Sequence, residues 1–539
     1  MKKIKLILVL CFTVAFFSCE DAYKIVQDGE FGQAATFRTL ADMQLFLNET
    51  YDKAGTETEI GFTSIFTDET GIGSQNAGQN ADLYRFAVTN QEGNASAIWL
   101  NHYILINYTN RFLRGAALIT PTATELPQYN SMIAEARALR AFGHFQLLTY
   151  FSTDLKNDSA LGVILMDRVP RVQEELPRNT NGEIFALIEA DLQFADANIL
   201  PNAGAKPWLY ISKNYINAFR ARMYAYRGNY TLALQYANAA ITTAAAASQT
   251  LTAALPLLPA GNTSAINSPG FNTSFFGTAT ANPYRRMWSD LDKGEVIFGL
   301  DRSVGKATVD SNWYFNRTNL TGGPFHDMSR ALYNMLDSQA SNSLATGTPG
   351  DIRALAFIDP TSKVDQATVL VGVAGAAPYY QTDPAYKAND VLCIDKYPGK
   401  TGFDLGNDLK IFRLSEMYLI RAEANVAAGN LPAAAAAVKA IRDARNRLGV
   451  QPLPVYGSAT AAWADILKER RLELCFEGHR YIDLKRLGTL AGASIDRFAG
   501  DCFNIPVCTL PTTDYRFTMP IPIDEIIGNS AIQQNPGGY

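Results

Sequence analysis

Apolar residues recur at three- and four-residue steps through "TLADMQLFLNETYDKA", Thr39 to Ala54, which predicts an amphipathic helix. The same holds for "SAIWLNHYILINYTNRFLRGAALI", Ser96 to Ile119, with Ser96 as its cap candidate. "YNSMIAEARALRAFGHFQLLTYF" (Tyr129 to Phe151) and "NGEIFALIEADLQFADANI" (Asn181 to Ile199) form a further helical pair. Two later segments resemble each other. One, "YINAFRARMYAYRGNYTLALQYANAAIT", starts at Tyr215; the other, "MYLIRAEANVAAGNLPAAAAAVKAIRDARN", starts at Met417. A single offset superposes Gly228-Asn229 on Gly429-Asn430 and Arg220-Ala221 on Arg421-Ala422. Small residues let two helices approach closely, and Gly-Asn permits the left-handed turn between them. Each unit resembles the tetratricopeptide helix-turn-helix, scattered along the chain rather than in tandem. The pattern predicts an all-α fold on a tetratricopeptide-like hairpin scaffold.

From Leu255 to Lys410 helical periodicity fades. Pro, Gly, Asn, Ser and Thr punctuate this part, and short apolar runs such as "ATVLVGV" predict short strands. No charged side chain occurs from Gly228 through Tyr284. Long loops on a rigid scaffold are where binding groups tend to sit. The expected layout is one domain over 37–539. Its helical scaffold covers about 37–250 and 410–490, a loop-rich ligand-facing part covers about 255–410, and an extended segment covers 491–539.

The N-terminus changes the picture. Lys2, Lys3 and Lys5 precede a nearly all-apolar run from Leu6 to Phe17, too short to span a bilayer but fit for a signal peptide over 1–18. Phe16-Phe17-Ser18-Cys19 resembles a bacterial lipobox, with Phe16 where leucine is preferred. That match makes Cys19 the acylated first residue, residues 19–36 a tether, and the lipid the only membrane attachment. Glu20-Asp21 behind it resembles the surface-export signals of some Gram-negative lipoproteins. Loss of the three leader lysines moves the net charge from −5 to about −8. That excess of acid argues against a nucleic-acid partner, which needs a basic stripe to displace counterions. Of the remaining cysteines, Cys502 and Cys508 are a disulfide candidate in an oxidising envelope. Cys393 and Cys475 sit among apolar residues and read as inert core thiols.

Candidate chemistry is sparse. His102, His144, His326 and His479 form no H-E-x-x-H pair and lie near no cysteine pair, so no metal site is expected. There is no Walker A loop, "GIGSQN" lacks the third glycine of a dinucleotide fingerprint, and no G-x-S-x-G elbow occurs. The densest ionisable stretch is "KERRLELCFEGHRYIDLKRLG", Lys468 to Gly488. Glu469, Glu473 and Glu477 at four-residue steps repel one another along one helix face. Opposite charges three apart offset this: Arg470 with Glu473, Glu477 with Arg480, Arg480 with Asp483, and Asp483 with Arg486. A catalytic acid needs an apolar pocket to raise its pKa, whereas guanidinium neighbours keep a carboxyl ionised. The run therefore reads as an ion-paired closing element of the scaffold, reaching Arg421 or Arg442 of the preceding hairpin.

"ERRLELCFEGHRYIDLKRLG", with "FRLSEMYLIRAEANVAAGN" upstream and "MPIPIDEIIGNSAIQQNPGGY" at the terminus, resembles the SusD/RagB family. "AEARALRAFGHFQLLTYF", the "DIR" at Asp351 and the "DKY" at Asp395 match as well. The resemblance implies an outer-membrane nutrient-binding lipoprotein, facing the cell exterior, that catalyses nothing and requires no cofactor. It further implies a TonB-dependent barrel transporter (SusC-like) as partner, with the lipoprotein as its hinged lid. Ligands would be oligosaccharides, or peptides in some members; an envelope-attached glycosidase is the reading from a different class. Sugars pack their C–H faces on aromatic rings and need donors and acceptors for their hydroxyls. The candidates are Asp68, Asn76, Asn80, Arg85 and Trp99 in the stretch before the tryptophan-bearing helix, a placement implied by the resemblance. A second set is Tyr284 and Trp288 in "NPYRRMW" with Trp313 and Tyr314 in "SNWYFN". Each ring also has a core-packing reading.

Overall fold

Helix starts in the first half are encoded by side chains that satisfy exposed amides. In this computed structural model, Thr39 opens α1 (Leu40–Asp52) with a capping box, its hydroxyl accepting from the Asp42 amide and the Asp42 carboxylate accepting from the Thr39 amide. The structure describes residues 37–539 except 172–173, 267, 307, 315–323, 340–349, 361, 365–366, 369–390, 404–405, 503–504 and 506. The expected leader, Cys19 and its tether lie outside the described residues. After α1 come α2 (Glu57–Phe66), β1 (Thr70–Ile72), α3 (Ala81–Tyr84), α4 (Gly93–Ala116) and α5 (Leu126–Phe151). A second capping box, Thr180 with Glu183, opens α6 (Asn181–Asn198). Helix α4 starts before Ser96. Its cap is Glu92, whose carboxylate accepts from the Asn94 amide, and glutamate is not a preferred cap residue. Helices α4 and α6 both pack on α5, which is buried without interruption from Ala138 to Phe151 and forms the centre of this half.

Helices α7 (Lys213–Tyr226) and α8 (Tyr230–Ala246) form the first alanine-rich hairpin. The loop-rich part follows, with α9 (Pro269–Phe275), α10 (Pro283–Trp288), β2 (Val296–Leu300), β3 (His326–Met328), α11 (Arg330–Gln339), α12 (Ile352–Ala356), β4 (Lys363–Val364), β5 (Ala367–Thr368) and β6 (Leu409–Arg413). Of "ATVLVGV", Ala367–Thr368 is a strand and the rest lies outside the described residues. The second hairpin is α13 (Leu414–Ala427) with α14 (Leu431–Arg445). Gly228 and Gly429 turn the two hairpins at φ +72° and +76°. Asn229 and Asn430 then cap the return helices, accepting from the amides of Leu232 and Ala433 at 3.2 Å each. The units are apart in sequence yet stacked in space, because α8 packs directly on α13. Helices α15 (Ala459–Leu474) and α16 (Arg480–Ala491) extend the scaffold, and α15 also packs on α13.

The described strands pair only two at a time, β1 with β3, β2 with β6, β4 with β5, and β7 (Ile495–Asp496) with β8 (Thr509–Leu510), all antiparallel. One apolar cluster runs from Phe37 to Ile532 and joins residues of the scaffold helices with β2 and β6. The final segment, carrying α17 (Ile523–Gly528), clamps the end of α5. The Met519 amide donates to the Tyr150 carbonyl at 2.8 Å, and Asn535 Nδ2 donates to the Phe151 carbonyl at 2.9 Å. The Ile523 amide meets the Asn90 carbonyl at 2.9 Å, which brings α17 beside the start of α4. No described helix is long and apolar enough to cross a membrane.

Candidate ligand-binding groove

The charge-dense run from Lys468 to Gly488 lies in the core. Helix α15 stops at Leu474, and left-handed residues Phe476 (φ +61°) and Gly478 (φ +84°) reverse the chain before α16. Glu473 accepts from three buried arginines: Arg413 and Arg445 at 2.8 Å and Arg353 at 3.2 Å. Glu295 bridges Arg413 (2.7 Å) and Arg445 (2.8 Å), while Glu477 takes Lys396 and Arg413 at 2.7 and 2.6 Å. Glu469 bonds Arg353 and Arg442, both at 2.7 Å, so the run does reach the preceding hairpin. Arg421 points elsewhere, over the Tyr418 ring.

Of the four expected local pairs only Asp483–Arg486 forms, at 3.0 Å. Arg470 turns to Glu423 and Asp483, Glu477 to Lys396 and Arg413, and Arg480 to Asp68. The chain reversal takes Glu477 off the helix, and buried carboxylates from other elements outcompete neighbours three residues away. Burial would raise the Glu473 carboxyl, but the charges of Arg445 and Arg413 outweigh it and hold it well below the usual range. Burial, Arg222 and Arg470 push His479 well below the ordinary histidine value. A permanently ionised carboxylate and a neutral imidazole make a poor acid/base pair.

Most of the ring candidates belong to the same interior. Tyr284, Trp288 and Trp313 are completely buried, and Tyr314 nearly so. The Trp288 ring sits 4.7, 5.3 and 5.2 Å from the charges of Lys396, Lys410 and Arg413, and the Tyr284 ring sits 4.6 Å from Arg445. These two rings clad the buried cations, a cation–π role. Trp313 donates its indole N–H to Ser64 Oγ at 2.9 Å, and Tyr314 donates to the Ile394 carbonyl at 2.8 Å. The structure therefore corrects the expectation that these four rings form a ligand platform: none presents a face to solvent. Asp68 is corrected likewise. It is buried and held by Arg480 through two bonds of 2.8 Å. Burial opposes its ionisation, yet Arg471 and Arg480 keep its carboxyl far below the usual range.

Three of the remaining candidates line the loop before α4. Asn76 Nδ2 donates to the carbonyls of Gln79 and Phe325 at 3.1 and 3.0 Å, which fixes the loop against the strand-bearing part. Asn80 takes a left-handed conformation (φ 55°) ahead of α3, and its side-chain nitrogen lies 3.4 Å from His326 Nε2. Arg85 is exposed. These side chains, with exposed Gln75, Gln79 and Asp82, form a polar rim with no exposed ring among the described residues.

Trp99 is buried as well, with 3% of its surface exposed, but unlike Trp288 and Trp313 it lines a sizeable cavity. Its ring packs on Tyr103 (4.9 Å) and edge-on to Phe151 (5.0 Å), and the residue lines a cavity of about 400 Å3. That size suits a small organic ligand. Helix α4 supplies Trp99, Leu100, Tyr103 and Asn107; residues 164–176 supply Met166, Arg168 and Glu174; α17 supplies Asp524 and Glu525. The walls are tied by side chains. Tyr103 accepts from the Ile164 amide (2.8 Å) and donates to its carbonyl (2.9 Å). Asn110 donates to the Met166 and Arg168 carbonyls, both at 3.0 Å, and Asn529 donates to the Leu176 carbonyl at 2.8 Å. A second depression of about 330 Å3, lined by Phe46, Ile104, Tyr108 and Arg111, adjoins it through Asn107. Of the sequence candidates Trp99 lines this cavity; Tyr103, Asn107, Arg168, Glu174, Asp524 and Glu525, which line it too, were not among them. The four-residue step from Trp99 to Tyr103 to Asn107 along one helix face was the available signal.

Cys502 and Cys508 are joined as a disulfide, with Cα atoms 5.6 Å apart. Cys393 and Cys475 are buried thiols, and burial pushes Cys475 up to about 12. Among the described residues no group of three or more His, Cys, Asp or Glu side chains could hold a metal ion.

Comparison with known proteins agrees with this architecture. A family model described as starch-binding associating with outer membrane matches residues 30–225, and the SusD family model matches residues 387–539. SusD-like protein P2 of Formosa agariphila is 24% identical over 529 residues, covering 93% of each chain. SusD-like protein P38 of the same organism is 24% identical, covering 92% of this chain and 96% of its own. A crystal structure of a SusD superfamily protein from Bacteroides thetaiotaomicron superposes with TM-score 0.69 at 21% identity, over 93% of this chain and all of that one. A laminarin binding SusD-like protein superposes with TM-score 0.61 at 19% identity, over 92% of this chain and 99% of that one. The two family models together span more than half of the sequence, both curated relatives align along nearly its whole length, and the chain belongs to the SusD-like family.

Proposed function

We propose that this protein is an outer-membrane glycan-binding lipoprotein that captures oligosaccharide outside the cell and passes it to a TonB-dependent transporter, without catalysis. The carrying observation is the groove beside α4. There Trp99, Tyr103 and Met166 supply an apolar floor, and Asn107, Arg168, Glu174, Asp524 and Glu525 supply hydrogen-bonding groups at the rim. Saccharides match that combination, since their C–H faces bury on rings while hydroxyls bond planar polar groups. The walls are tied before any ligand arrives, which reduces the ordering cost of binding. Asn76, Asn80 and Arg85 offer further polar contacts to a longer chain. Family membership and the laminarin binding neighbour support the ligand class. The guanidinium-clamped carboxylates of α15 and the chain reversal after it support a purely structural role for the one acid-rich segment. Acylation at Cys19 is the proposed anchor.

Isothermal titration calorimetry against a polysaccharide panel tests the reading. Binding to a glycan, with no reducing ends released on long incubation, is the expected result. Selective binding of peptides, or release of sugar abolished by a single carboxylate change, would replace it.

A further inference from the structure

The groove's charges are unbalanced in a way that bears on its ligand. Among the described residues Arg168 is the only basic one lining it, against three acids, Glu174, Asp524 and Glu525. Arg168 is already engaged: its two Nη atoms bond the two oxygens of Glu174 at 2.8 and 2.5 Å. Arg178, two residues beyond the lining Leu176, is buried and gives its donors to the carbonyls of Gly162, Gln533, Phe151 and Leu161. Asp524 is exposed at the mouth. Glu525 is half-buried against the Trp99 indole. Among the described residues neither carboxylate pairs with a cation. Asp167 and Glu175, both exposed beside the lining residues, add two negative charges, against Arg171 next to them and Arg111 in the adjoining depression.

Resting on the glycan reading above, we infer that this groove takes uncharged saccharides and turns away uronic-acid or sulfated ones, with Asp524 and Glu525 as the discriminating groups. A carboxylate accepts two or more hydroxyl hydrogens and so favours a neutral sugar with charge-assisted bonds. An anionic sugar in the same place meets two like charges, and the guanidinium that lines the groove, Arg168, is already paired with Glu174. Repulsion of this kind is how a site rejects a competitor of the same shape.

The full chain is titrated with neutral polysaccharides (laminarin, amylopectin, mannan) and with carboxymethylated forms of each, at low and at high salt. Carboxymethylation of the bound glycan should weaken affinity at least about tenfold, or about 1.4 kcal/mol. That penalty should shrink in about 0.5 M salt, where the screening length falls to a few ångström. The double variant Asp524→Asn with Glu525→Gln should bring the carboxymethylated form to within about threefold of its parent, a fold-change read as a ratio within one protein. Asp524→Asn alone, at an exposed position, should move the ratio the same way by less, which covers a double variant that folds poorly. Equal binding of parent and carboxymethylated glycan by the wild type overturns the inference. So does an unchanged ratio in both variants, or wild-type binding confined to the carboxymethylated forms. Binding to no glycan at all overturns the glycan reading itself, so the two failures are distinguishable.

Discussion

Replacing Glu473 with alanine removes the carboxylate that joins Arg353, Arg413 and Arg445, each with at most 1% of its surface exposed. Glu295, Glu469, Glu477 and Asp351 remain as partners, so each arginine keeps at least one carboxylate but loses a buried charge-assisted bond. Removing one member of a buried ion pair costs about 3–5 kcal/mol when the survivor is left unpaired; here three desolvated guanidiniums each lose one of their carboxylates, which places the cost in that range. For roughly 500 folded residues the unfolding entropy is about 1 kcal/mol per kelvin, so the melting temperature should fall by about 3–5 °C. The carboxyl is held well below its ordinary range in the fold, chiefly by Arg445 and Arg413 against the effect of burial. Its contribution is therefore present above the unfolded pKa and is lost as pH falls through the folded one. Differential scanning calorimetry at neutral pH measures the gap, and titration of the folded variant with the bound glycan should give wild-type affinity. A melting temperature within one degree of wild type would refute the network's structural role. Unchanged melting with lost affinity would instead place Glu473 in a functional site.

Other perturbations probe separate parts of the molecule. Glu69 is buried with both carboxylate oxygens lacking a well-formed hydrogen bond, and burial pushes it up to about 8. A raised carboxyl pKa costs stability as pH rises from about 4.5 towards 8, on the order of 3 kcal/mol at pH 7, so Glu69→Gln should melt above wild type at pH 8 and lose that advantage near pH 4.5. Equal melting at both pH values would count against it. Leu100 lines the groove and is 58% exposed; Leu100→Arg should weaken glycan binding tenfold or more while changing stability by no more than about 0.5 kcal/mol. Undiminished binding in calorimetry would move the ligand away from α4. Asn229→Ala and Asn430→Ala each remove one helix cap and should cost about 1 kcal/mol by urea denaturation, with near-equal values if the two hairpins are equivalent.

The scaffold was readable because its signals are local. Thr39 and Thr180 carry capping boxes whose partners lie three residues away, and the Gly-Asn turns at Gly228 and Gly429 need only their own backbone. Where a local rule failed, an uncommon side chain did the work: Glu92 caps α4, so the helix begins earlier than Ser96 suggests. That α8 and α13 stack could not be read from the offset between the two hairpins, since it depends on how the intervening loop-rich part folds. The ion pairs around Glu473 failed for the same reason. Four opposite-charge pairs three apart were visible and three of them do not form; the winning partners of Glu473, Arg353, Arg413 and Arg445, come from other elements.

The aromatic candidates show why ligand sites are harder to read than folds. Beside arginines and amides, a tryptophan has the same local sequence whether it faces a sugar or a buried guanidinium. Trp288 follows Arg285-Arg286, and in three dimensions it covers Lys396, Lys410 and Arg413, brought from more than a hundred residues away. A core holding this many buried cations needs polarisable ring faces around them, and that demand competes with ligand binding for the aromatic residues. Trp99 escapes it because its neighbours on α4 are Tyr103, Asn107 and Leu100 rather than arginines. The nearest carboxylate, Glu525, arrives from the last helix of the chain. In a SusD-like chain with a charge-rich interior, rings flanked by arginine should therefore be assigned to the core first. A ring on a helix face shared with tyrosine and asparagine is the one to test first against a ligand.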